Sequence, residues 1–445
     1  MITDQQGNPL HGATPEAARL HDQAMACFNS YRGDPAALLG SAIDAAPQFG
    51  MAHAFLAWLG LISTEPAATA AARDVIATLA KLPADERVRA HLGALRLLAD
   101  GHWSAAARAL EMHSAEHPRD LLALQAGHLL DFCRADSRTL RDRIARALPQ
   151  WPADLPGYSF LLGMHAFGLE ECGEYSRAEE SGRRAVALQP RDCWAHHAVA
   201  HVMEMQGRAE DGLGWMSARE AHWDGEDNFF KVHNWWHRAL FHLDLGQTEE
   251  TLALYDGPVR EARSAVAYDL IDASAMLWRL QLLGVDVGAR WLELAATWDA
   301  QADGRTYAFN DWHAVMAWLG AGRMREVERM LRAWRDVAGD GNENTRWIRA
   351  VGLPLVEGFT AFWQRDYGTA IDRLHAVRNF TGMFGGSHAQ RDVIAWTLAE
   401  AALRGGHASF ARALAQERLA LKPHSPVNRG QLARASAMQG VRRAA

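Results

Sequence analysis

The residues best suited to chemistry stand in two runs, Trp194-Ala-His-His-Ala-Val-Ala-His201-Val-Met-Glu204 and His233-Asn-Trp-Trp-His237. Imidazoles titrate near neutral pH and act as acid, base or carbonyl polariser; a neighbouring carboxylate sets their orientation. His197 and His201 form an i,i+4 pair, as do His233 and His237, so each pair shares one face of a helix. Glu204 continues the first pair. Zinc and similar metals use this spacing. The signal is weak, because there is no His-Glu-x-x-His. The plainer expectation is that these rings bond to one another, to asparagine and to carboxylates. No cofactor is expected; any divalent metal would take His197, His201, His233 and His237.

Such side chains need a frame. The chain has 445 residues, 49% hydrophobic and 22% charged, enough to bury a large core. Its net charge is −7 and its Lys and Arg are scattered, which argues against nucleic acid or an anionic membrane as partner. The first residues, Met1-Ile-Thr-Asp, do not read as a signal peptide, and the longest apolar run, near Met51 to Ile62, is too short to cross a bilayer. Cys27, Cys133, Cys172 and Cys193 show no close pairing, so free thiols in a cytoplasmic protein are expected.

The clearest repeat runs from Leu161 to Pro190. A helix from Tyr158 to Cys172 is followed by a turn at Gly173-Glu-Tyr175. A second helix then carries Ala178 and Ala185 and stops at Pro190. The same punctuation recurs at Gly101, Gly207, Gly246, Gly284, Gly322, Arg365-Asp-Tyr367 and Gly405-Gly406, with weaker turns near Gly33 and at Arg134-Ala-Asp136. From Gly173 to Gly322 the spacings are 34, 39, 38 and 38, which mean stacked helix pairs. The expected fold is an all-α, tetratricopeptide-type solenoid of helical hairpins. It forms one domain over 1–445, with about ten or eleven hairpins curling around a central cavity. The polar segment 1–14 and the tail 440–445 are expected to fray, and 339–344 reads as a polar loop.

Distances counted back from the turn glycines give side-chain directions at about 100° per residue. Trp194, His197, His201 and Glu204 lie 13, 10, 6 and 3 residues before Gly207, on one face. His233, Trp236 and His237 lie 13, 10 and 9 before Gly246, on the same face. Twelve before successive glycines stand Asn234, Asp272 and Asn310; nine before Gly246 and Gly322 stand His237 and His313. Asp311 and Trp312 belong to the same motif. A lined groove would use polar residues kept in register across three repeats. Near the C-terminus, Gly385-Gly-Ser387-His388-Ala-Gln390-Arg391-Asp392 opens a helix with a capping box. Its bare N–H groups and Arg391 would suit an anion, although capping alone explains Ser387 and Gln390. Cys193, beside His196 and His197, could be a nucleophile but reads first as a small buried apolar residue.

Taken together, Trp-Ala-His-His-Ala-x-Ala-His-Val-x-Glu-Met-Gln-Gly-Arg, His-Asn-x-x-His and Gly-Gly-Ser-His-x-Gln-Arg-Asp resemble the tetratricopeptide repeat protein 38 family, over roughly residues 20 to 425. The resemblance implies a tetratricopeptide-like fold, a cytosolic protein and a concave surface lined by the first helix of each pair. It implies no reaction.

The leading expectation is a cavity that binds a small polar or anionic molecule and performs a hydrolase- or lyase-type acid–base step. His197, His201, His233, His237 and His313 would be acid, base or polariser. Glu204, Asp311 and Asp392 would orient them, and Asn234, Asp272 and Asn310 would line the site. Trp194, Trp236 and Trp312 would wall it, while His388 and Arg391 would hold an anion. Two alternatives stand beside it: a non-catalytic scaffold binding a peptide segment of a protein partner in the concave groove, and a His/Glu metal-dependent enzyme.

Overall fold

A computed structural model describes residues 2–337 and 341–444, with side chains up to Met438. Helices follow one another in pairs. They are α1 (Pro15–Ser30) and α2 (Pro35–Ala45), α3 (Gly50–Ile62) and α4 (Pro66–Leu79), α5 (Glu86–Ala99) and α6 (Trp103–Glu116), α7 (Leu121–Cys133) and α8 (Ser137–Ala147), α9 (Tyr158–Glu171) and α10 (Tyr175–Leu188), then α11 (Cys193–Met205) and α12 (Ala209–Ser217). After the single turn α13 (Glu220–Trp223) come α14 (Lys231–Asp244) and α15 (Thr248–Leu254), α16 (Ala267–Leu282) and α17 (Arg290–Trp298), and α18 (Ala308–Gly320) and α19 (Met324–Arg335). The short α20 (Glu343–Trp347) precedes α21 (Leu353–Trp363) and α22 (Tyr367–Val377), then α23 (His388–Arg404), α24 (Ala408–Leu421) and the closing α25 (Pro426–Ala444). This makes eleven hairpins among the described residues, with no strand and only the isolated bridges Thr3–Pro9 and Arg32–Asn228. The protein is an all-α solenoid of tetratricopeptide-type hairpins.

Local chemistry sets these boundaries. Thr14, Asp34, Asp85, Asp120 and Asp136 each accept a first-turn N–H at a helix start. The turn glycines Gly101, Gly173, Gly207, Gly246, Gly284, Gly322 and Gly406 all have positive φ, the left-handed geometry that a Cβ resists. Ala135 (φ 48°) and Arg365 (φ 65°) fill the equivalent turns without glycine. Of the polar loop at 339–344, residues 339 and 340 lie outside the described residues; Asn342 caps α20, which starts at Glu343. Nine tryptophans are fully buried, so much of the tryptophan excess is core.

The helices group into two compact units: residues 1–199 with 219–231, and residues 200–218 with 232–445. In the first unit, the segment containing α13 is tied to the end of α1. Gly33 N donates to Asp227 O at 2.7 Å, Phe229 N donates to Tyr31 O at 3.0 Å, and Arg32 forks onto the Asp227 carboxylate. The N-terminal segment corrects the expectation of fraying. Asp4 is buried and pairs with Arg87, Gln6 Nε2 donates to Pro156 O at 2.9 Å, and Asn8 Nδ2 donates to Arg119 O at 3.0 Å. These anchors lie far along the chain, so local polarity did not reveal them. The tail after Gln439 continues α25 to Ala444; Ala445 lies outside the described residues.

The second unit curls on itself, so that α16 packs against α23. Trp278 Nε1 donates to Thr397 Oγ1 at 3.0 Å, and Arg279 donates to Ala389 O at 2.7 Å. The interior of this curl is filled by Trp236, Trp278, Trp312 and Phe359. No helix among the described residues is long and apolar enough to cross a membrane.

Candidate functional site

The polar tier expected from the sequence lies inside the second unit. His201 comes from the C-terminal half of α11; His233, Asn234, Trp236 and His237 come from α14; Asp272 comes from α16; Asn310 and His313 come from α18. All are buried except His233, whose side chain keeps 12% of its surface. The His201 and His237 rings lie 4.5 Å apart between centroids, and those of His233 and His237 lie 4.8 Å apart and edge-on. His233 Nδ1 is 2.7 Å from Asp272 Oδ2. An ionised carboxylate only accepts, so the Nδ1 facing Asp272 carries a proton. Trp236 stacks on His233 at 5.3 Å, and the Arg279 guanidinium sits 5.5 Å from the Trp236 ring.

Burial, then the neighbouring His201, His233, Lys422 and Arg279, pushes the His237 pKa well down. Burial also holds His313 at about 3, Arg279 adding to the effect, while His313 Nδ1 donates to Phe309 O at 2.9 Å. Arg279 is itself fully buried. Its guanidinium donates to the carbonyls of Ala275, Ala389 and Gln390, and burial lowers its pKa to about 10.

Sequence reasoning missed the cations beside this tier. Glu204, expected to orient an imidazole, is instead ion-paired with Lys422. Asp392, expected to do the same, is gripped by Arg418 at 2.7 and 3.2 Å. Burial opposes ionisation of Asp392, but the Arg418 guanidinium prevails and holds its carboxyl at about 2. Glu204, Asp392, Arg279, Arg418 and Lys422 surround a cavity of about 20 Å³, room for a water molecule and not for an organic substrate. Arg279 left one signal, a lone cation in the apolar run Met276-Leu-Trp-Arg-Leu-Gln-Leu282.

Other expected roles are corrected by packing. Asp311 accepts the Gly304 N–H at 3.0 Å, so it braces a loop; burial pushes its pKa well up. The start of α23 is closed by its capping box: Ser387 Oγ accepts from Gln390 N, and Gln390 Oε1 accepts from Ser387 N. Arg391 turns back to the carbonyls of Gly385 and Gly386, and His388 is exposed. Trp312 is core, packed among Phe309, Phe359 and Phe384. Trp194 and His197 belong to the first unit. There Trp194 stacks on Tyr31 at 5.6 Å, and His197 lies against Phe167 and Phe230. Burial raises the Cys193 thiol to about 12, so it is no nucleophile.

The first unit holds a second histidine cluster that the sequence reading passed over. Asp120 caps α7, receives Arg87 at 2.8 and 3.0 Å, and accepts from His91 Nε2 at 3.0 Å and His113 Nε2 at 2.9 Å. Trp58 Nε1 donates to His91 Nδ1 at 2.9 Å. Every partner here is satisfied, which makes it a structural network.

No family model matches the chain. Among solved structures it is similar to a chain of the APC/C hetero-tetramer Cut9–Hcn1 at a TM-score of 0.45 and 15% identity, covering 94% of this chain and 76% of that one. It is also similar to a monomeric IFIT1 mutant solved with Gppp-AAAA, at a TM-score of 0.42 and 11% identity, covering 97% and 96% of the two chains.

Proposed function

We propose that this protein is a helical-repeat scaffold that holds a segment of another polypeptide. One observation carries the reading: a surface hollow of about 340 Å³ in the second unit. Its lining joins the buried Trp278 and Phe362, the half-buried Trp363 and Tyr367 and the exposed Arg365 and Arg404. Trp, Tyr and Arg are the side chains that most often carry interface energy. The volume suits one inserted apolar or aromatic side chain, with the arginines facing acidic neighbours. His201, His237 and His313 are buried and His233 keeps 12% of its surface, which weighs against substrate turnover there. Membership of the tetratricopeptide repeat protein 38 family rests on the motifs quoted above. The test is to select peptides on the full chain from a random library and titrate them against Trp363→Ala. A loss of about tenfold or more with unchanged melting temperature supports the reading; unchanged affinity overturns it.

Hydrolase- or lyase-type chemistry is the second reading, favoured by the His233–Asp272 pair with His233 at the edge of solvent. It requires a turnover that Asp272→Asn abolishes while the helical signal is kept.

A further inference from the structure

We infer that His201, His233 and His237 form a binding site for one divalent transition-metal ion, zinc in the first instance, within the second unit. Each of the three rings offers a nitrogen, and these atoms lie within 4.8 Å of one another. Tetrahedral zinc with bonds of about 2.0–2.1 Å needs nitrogens about 3.4 Å apart, so small side-chain rotations suffice. The donors sit on two helices, α11 and α14, and the i,i+4 spacing of His233 and His237 turns both toward one ion.

Two further observations separate this cluster from a chance meeting of rings. The first is the carboxylate behind it. His233 donates Nδ1–H to Asp272, which directs Nε2 to a ligand, as metal-bound histidines usually do. The second is unmet polarity at the same place. Asp272 Oδ1, on the carboxylate that holds His233, is buried without a hydrogen bond, and so are both ends of the Asn234 amide, between His233 and His237 on α14. Buried polar atoms of this kind call for an ion or water. The His91–His113–Asp120 cluster offers the contrast: similar residues at similar depth, but Asp120 is filled by Arg87 and both rings, leaving no place for a cation. Three imidazoles select zinc, cobalt, nickel or copper over magnesium or calcium. The slight exposure of His233 gives a route in.

The test uses the full chain, stripped with a chelator and titrated with Co²⁺, then with Zn²⁺ against a chromogenic chelator. The expected result is a visible cobalt spectrum of low-symmetry coordination, one tight Zn²⁺ per chain and a raised melting temperature. His237→Gln should weaken binding by about 100-fold and Asp272→Asn by about 10–100-fold. His117→Gln, in the exposed Glu86–Glu116–His117 group, should leave the tight site unchanged. Absence of the cobalt spectrum in folded wild-type protein overturns the inference without any variant. So does tight zinc binding that survives both His237→Gln and His201→Gln.

Discussion

Glu204 and Lys422 are joined in an ion pair although 218 residues separate them, and the pair lies at the edge of the histidine tier in the second unit. Both side chains are largely buried. Lys422→Met should therefore cost about 3 kcal/mol, because it strands the Glu204 carboxylate, and adding Glu204→Gln should restore at least half of the loss. Urea unfolding of the two single variants and the double variant measures this coupling; additive losses would show that the pair is not coupled.

The Asp392–Arg418 fork has a pH signature. Asp392 titrates at about 2 in the folded chain against 3.8 for an ordinary aspartate. Its contribution is thus fully present above about pH 4 and is lost as pH falls toward 2. With the carboxylate 32% exposed, Asp392→Asn should cost about 1–2 kcal/mol at pH 7. The gap from wild type should close at pH 2–3. Denaturation midpoints across pH test it, and a gap that widens on acidification contradicts it.

Asp311 behaves in the opposite sense. Burial raises its pKa well above the ordinary value, so its stability contribution is present below the unfolded pKa and is lost as pH rises. Asp311→Asn keeps an acceptor for Gly304 N–H and removes the carboxyl that resists ionising. It should stabilise the chain by about 1 kcal/mol at pH 7–8 and change little at pH 4. Thermal melts at both pH values decide; destabilisation at pH 8 would show that the charge is used.

Much of this architecture was legible in the sequence. Gly207, Gly246, Gly284 and Gly322 mark their turns because the left-handed backbone there favours glycine. The offsets from those glycines correctly brought His201, His233, His237 and Asp272 into one region. Whether that region is a cavity or a packed interior was not legible. The filling comes from contacts between distant residues, such as Arg279 with Ala389 and Glu204 with Lys422, which helical periodicity does not encode. The same limit hid the anchors of the N-terminal segment. Ser387 and Gln390 show the converse: a local capping box was readable, and both of its hydrogen bonds form.

Gly386 tests the close packing at that helix start. It has φ 74°, and a Cβ there would come within 2.4 Å of the Phe309 ring. Gly386→Ala should cost about 2–3 kcal/mol through backbone strain and displacement of Phe309. A melting temperature equal to wild type would mean the loop can shift.

The hollow bounded by Trp278, Phe362, Trp363 and Tyr367 is the centre of the functional account, and hydrogen exchange of the full chain with and without a bound peptide tests it most directly. The expected result is new protection confined to the end of α16, the α21–α22 turn and the C-terminal part of α23, absent in Trp363→Ala. Protection that falls elsewhere, or that survives Trp363→Ala unchanged, would contradict it.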